Sequence, residues 1–249
     1  MLYAAMTFWL LVIVLSAWGV HQLWSGLVKP RVVNTVLLPG TLMAQLGHVL
    51  GLLVTGGTVN NTTLYKDDET GAPEQTRNPR PRVPIIGPVV VGMLPILACA
   101  TAIYFVAQHL GGPVVNEMNR ETVPRVLPST LPGGWELLRH ALTLAETTLA
   151  AALDSDFGDW HVWLFLYLLV CLSVRMAPFP GNLRGSLGAI LVLGLVTFLV
   201  SQLAAATPEN IERGWHVLSL SVGTLLVLLL FSLLVRGGVG LVKLLAGNA

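Results

Sequence analysis

The sequence predicts an all-α membrane protein: a bundle of about six transmembrane helices, with a short β-hairpin after the second and an interfacial amphipathic helix before the fourth. Two observations carry this. Only 11% of the 249 residues are charged and 54% are hydrophobic, whereas a soluble domain carries about 25% charged residues. The apolar residues also fall in continuous blocks, not in the alternation of barrel strands. A hydrocarbon core of about 30 Å needs about 20 residues of helix. The blocks 3–28, 32–53, 84–110, 160–176, 185–206 and 214–235 reach or approach that length. The chain, 1–249, reads as a single integral membrane domain.

The first block is read as an uncleaved span, because no basic region precedes it and it is longer than the apolar core of a secretory signal. Pro39 and Gly40 interrupt the second block, while Pro88 and Pro95 mark kinks in the third. Cys99 and Cys171 fall inside apolar blocks and are expected to pack as small hydrophobes, not to form a disulfide.

Two segments lie outside the spans. Residues 57–83 begin with a β-prone run and continue into KDDETGAPEQTRNPRPRV, a hairpin followed by an irregular loop. Residues 111–159 hold a Pro/Gly-rich stretch and then WELLRHALTLAETTLAAAL. There Leu138, Leu142, Ala145, Leu149 and Leu153 recur at helical spacing, opposite Arg139, Thr143, Glu146 and Thr147. The expectation is a helix lying on the membrane or against the bundle, since its ionisable groups would be costly at the bilayer centre.

Counting Lys and Arg on the two faces gives eight on the N-terminal side against six on the other. By the positive-inside rule this places both termini in the cytoplasm, in a bacterial-type inner (plasma) membrane. Trp24, Trp160, Trp163 and Trp215 are expected to form one interfacial belt on the opposite face. A net charge of +1 without a basic stripe excludes nucleic acid as the partner. The lipid bilayer is the expected partner, together with another transmembrane protein.

The run LLPGTLMAQLGHVLGLLVTGGTV, 37–59, carries the most chemistry. A zinc hydrolase needs two His four residues apart on one helix, so that both imidazoles reach one ion, and an adjacent Glu to deprotonate the bound water. Those positions are occupied here by Ala44, Gln45 and His48. Ala44 offers no lone pair, Gln45 is neutral and cannot act as a base, and one imidazole does not hold zinc.

With its Pro39-Gly40 entry, its small residues Gly47 and Gly51, and the following Gly56, Gly57 and Val59, this run resembles the site-2 protease family of intramembrane zinc metalloproteases. The segment MAPFPGNLRG resembles the later element that supplies the family's third ligand, an Asp, at the position of Asn182. The resemblance implies a vestigial site at Ala44, Gln45, His48 and Asn182 with no catalytic residue and no zinc, His48 being the one residual metal candidate. The expected function is that of a non-catalytic subunit that binds or regulates other membrane helices. The alternative is a transport or channel subunit with a polar path through Gln45, His48 and Asn182. An active intramembrane metalloprotease ranks below both, because the general base is missing.

Overall fold

The computed structural model describes residues 2–56, 62–67, 73–75, 86–118, 121–128, 130–176, 188, 190, 192 and 208–245. In chain order these form α1 (Leu2–Leu27), α2 (Pro30–Val36), α3 (Leu38–Val54), β1 (Thr62–Asp67), β2 (Pro73–Gln75), α4 (Ile86–Leu110), α5 (Gly112–Met118), α6 (Leu131–Leu153), α7 (Trp160–Val174) and α8 (Pro208–Leu245). The two strands pair antiparallel, with Thr62 opposite Gln75 and Asp67 opposite Pro73. Local chemistry sets several helix starts. Pro30 opens α2. The Thr130 side chain accepts the Gly133 N–H at the start of α6, and the Asp159 carboxylate accepts the His161 N–H at the start of α7.

The six-span bundle requires correction. Among the described residues, three helices are long and apolar enough to cross a membrane, within α1, α4 and α8. The second expected span is broken at Leu37, where Pro39 begins a new helix, and α3 alone has 17 residues. The fourth has 15. At 1.5 Å per residue these measure about 26 and 22 Å, short of a core of about 30 Å. The expected fifth span, 185–206, lies almost wholly outside the described residues.

The long helices pack in an order that charge counting did not anticipate. Along α1 and α8, Gly19 meets Leu229, the Trp24 indole donates to Ser232 Oγ at 2.8 Å, and Gly26 faces the Arg236 guanidinium. The partners advance together, so α1 and α8 run in the same direction. At their shared starting end, the Trp9 indole donates to the Pro124 carbonyl at 3.1 Å and the Trp215 indole to the Val123 carbonyl at 2.7 Å. Two parallel helices that both span carry their N-terminal ends to one face and their C-terminal ends to the other. Trp24 therefore sits beside Ser232, about 25 Å along α8 from Trp215. The single Trp belt is replaced by Trp9 and Trp215 at one end of the bundle and Trp24 toward the other.

Helix α6 packs against the bundle through one face. Leu144, Ala145, Thr148 and Ala151 are buried, while Leu138, Leu142, Leu149 and Leu153 are exposed. The buried face runs against α8, where Thr148 packs directly onto Gly223. Small or hydroxyl side chains let two helix backbones approach closely. The leucine stripe is the outer face of a helix packed along the bundle.

Two predictions follow from these contacts. A Cβ at Gly47 would lie 2.6 Å from the Leu94 carbonyl oxygen, whereas nothing lies within 4 Å of one at Gly237. Gly47→Val should cost about 1–3 kcal/mol through overpacking, and Gly237→Ala should stabilise by up to about 1 kcal/mol through helix propensity; thermal unfolding in detergent checks both. The second concerns Asp159, whose carboxyl is held below its ordinary range by the His161 backbone N–H and then by the His161 side chain. A carboxyl with a lowered folded value stabilises above its ordinary value of about 3.9 and loses that contribution as pH falls through the folded value. Asp159→Ala should therefore lower Tm at pH 7, and the gap from the wild-type chain should shrink as the pH is taken below about 4.

Candidate functional site

A buried polar cluster forms where the α2–α3 kink meets the end of α7. Leu37 at the kink leaves the helical region, with φ −90° and ψ 18°, and Thr41 Oγ1 donates back to its carbonyl at 3.0 Å. One residue earlier, the Val36 carbonyl is taken by α7: Tyr167 Oη donates to it at 2.7 Å and Cys171 Sγ at 3.5 Å. A proline-bearing turn of a membrane helix is tolerated when neighbours satisfy the backbone it frees, and α7 does so here.

Gly40 makes this approach geometrically feasible. A Cβ there would collide with the Cys171 carbonyl and press on Arg175 Cγ. Arg175, which caps α7, is buried, 6% exposed, and its guanidinium donates to the Asn34 side-chain oxygen. His21 of α1 and Cys99 of α4 lie within its electrostatic reach. Five helices thus converge on one cation. Sequence reading missed Asn34, Tyr167 and Arg175 as a group. The available signal was an arginine directly following a 15-residue apolar helix.

Of the vestigial-site residues, Ala44, Gln45 and His48 lie on α3. Ala44 is 1% exposed and belongs to a seam of small residues, Gly40, Ala44, Gly47 and Gly51, spaced four, three and four apart. Gly47 and Gly51 press against Leu94, Pro95 and Val91 of α4. Gln45 is 7% exposed, and its Nε2 has no hydrogen-bond partner. His48 is half-buried one turn further on. Asn182 lies outside the described residues, so the meeting of His48 with Asn182 falls there too. Among the described residues, no three His, Cys, Asp or Glu side chains group as metal ligands. Cys99 and Cys171 are both buried and unbridged.

Chemically, the cluster can order a helix junction. The described part holds a cation, a phenol, a thiol and amides, with the small-residue seam closed around Thr41, Ala44 and Gln45. That seam generates a prediction. Ala44→His, which restores a first imidazole to the motif, should destabilise by about 1–3 kcal/mol because the position is filled on all sides. Gln45→Met, which removes an unsatisfied buried donor at similar volume, should leave Tm unchanged or raise it; unfolding with and without added zinc measures both. Compared with family models, curated proteins and solved structures, the chain matches none.

Proposed function

We propose that this membrane-embedded, largely helical protein is a non-catalytic subunit that associates with another transmembrane protein through the outer half of α8, on a scaffold resembling that of site-2 proteases. The observation that carries this is the surface of α8 beyond Ser232. The helix has 38 residues, about 57 Å in length. Leu233, Leu234, Val235, Val239, Leu241 and Val242 are all exposed, Leu234 by 73%. Gly237, Gly238 and Gly240 have no neighbour within 4 Å of an added Cβ. An apolar helix with small residues on its free surface is suited to close pairing with a second helix.

The closed seam at Thr41, Ala44 and Gln45 supports a structural use of α3. It favours this reading over a polar path through Gln45 and over hydrolysis at the same position, which needs room for a water and a substrate carbonyl.

The test is isolation of the full chain from its own membrane in mild detergent, with mass measured by light scattering. A defined complex with a second membrane protein is expected. The triple exchange Leu234→Ala, Leu241→Ala and Val242→Ala should dissolve it while changing the stability of the isolated chain by no more than about 0.5 kcal/mol per site. Zinc-dependent cleavage of a transmembrane peptide, or an isolated single chain under those conditions, would overturn the proposal.

A further inference from the structure

Helices α4, α5 and α8 enclose a cavity of about 320 Å³ at the end of the bundle where α8 begins. It is separate from the α3–α7 junction and unused by the proposed association. Its polar lining comes from Tyr104 and Gln108 of α4, Asn116 of α5, and Arg213 and His216 of α8. Gln108 Nε2 donates to Tyr104 Oη at 3.4 Å. His216 Nδ1 is buried and has no hydrogen-bond partner. A buried ring nitrogen left without a partner costs free energy, and a bound group that bonds it would remove that cost.

The depth of the cavity identifies the ligand class. Trp215, adjacent to His216, donates its indole N–H to the Val123 carbonyl, and Arg125 lies 6.0 Å from the centre of its ring. Tryptophan and arginine together at the end of an apolar helix mark the headgroup level of a bilayer. The cavity then opens where lipid phosphates lie, and Arg213 supplies a guanidinium suited to a phosphate or carboxylate. Val115, Val217 and Leu220 line its apolar part. The volume sits at the lower end of ligand pockets, about 300–1,000 Å³. It suits a headgroup and the first methylenes of a chain, not a whole lipid.

We propose that this cavity binds the anionic headgroup of an amphiphile, with the anion held by Arg213 and the amide and imidazole groups around it and the start of the acyl chain resting on Val115, Val217 and Leu220. The shared chemistry is a phosphate oxygen anion, which a phospholipid or free phosphate could supply.

The experiment places the full chain in nanodiscs of phosphatidylcholine alone or with phosphatidylglycerol, and counts retained lipid by native mass spectrometry. One phosphatidylglycerol per chain is expected, together with a rise in Tm over phosphatidylcholine. Arg213→Gln and His216→Leu should each weaken retention about tenfold, while Arg139→Gln on the exposed face of α6 should leave it unchanged. Each variant's Tm in phosphatidylcholine separates loss of fold from loss of site, and His216→Leu should hold its Tm because it removes the orphaned nitrogen. Equal retention of both lipids, or retention unaffected by the two cavity variants, would overturn the proposal. Equal stabilisation by inorganic phosphate alone would overturn the amphiphile assignment.

Discussion

The architecture depends on how closely α3 can approach its neighbours. Gly40 lets the Cys171 carbonyl of α7 against the backbone of α3, and Gly47 and Gly51 do the same for α4. A bilayer supplies little hydrophobic drive between helices, since lipid tails are as apolar as leucine. Association must come from dispersion contacts between backbones and from hydrogen bonds made across them. Dispersion falls off steeply with separation, so a methyl group at any of these glycines would interrupt the contact for a full turn. The hydrogen bonds from Tyr167 and Cys171 to the Val36 carbonyl are reachable only because Gly40 has already brought α7 in.

The same physics explains why the leucines of α3 are outside, and α6 shows the same preference for small side chains at its contact. On α3, Leu42, Leu46, Leu50 and Leu53 are exposed while Gly40, Thr41, Ala44 and Gln45 are buried. On α6 the buried side chains include Ala145, Thr148 and Ala151, and Leu138 and Leu149 face outward. A rule that buries the most apolar face belongs to water-soluble helices, whose exposed leucines cost free energy. When the solvent is hydrocarbon, the face that pays no penalty for leaving it is the one that fits a neighbour most closely.

Part of this was legible in the sequence. The apolar blocks of α1, α4 and α8 are continuous, and length against bilayer thickness identifies them without tertiary information. Pro39 announced the break before α3. The direction of α8 relative to α1 was not legible, because it depends on contacts such as Trp24 with Ser232 that are 208 residues apart. Nor was the role of Ala44. Read as one position of a metal motif it is a missing ligand, and read beside Gly40, Gly47 and Gly51 it is one step of a packing seam. Spacings of four and three serve both purposes, since each follows from the turn of an α-helix. Asn182 carried the other half of that reading and lies outside the described residues.

Arg175 shows where a charge count loses information. Counted among the cations of the N-terminal side, it contributes to an orientation bias and to nothing else. In the fold it sits at the C-terminal end of α7, where the helix dipole favours a positive charge, and it donates to Asn34 across the α2–α7 contact. Its side chain also covers Gly40, so the cation, the kink at Leu37 and the small-residue seam occupy one volume. Removing water from a guanidinium costs several kcal/mol unless donors find acceptors and the field around the ion is favourable. A buried arginine is therefore retained only where the surrounding backbone is already fixed. Because Asn34 lies before the kink and Gly40 after it, Arg175 spans both sides of the break and holds the angle between α2 and α3 that the proline alone would leave free.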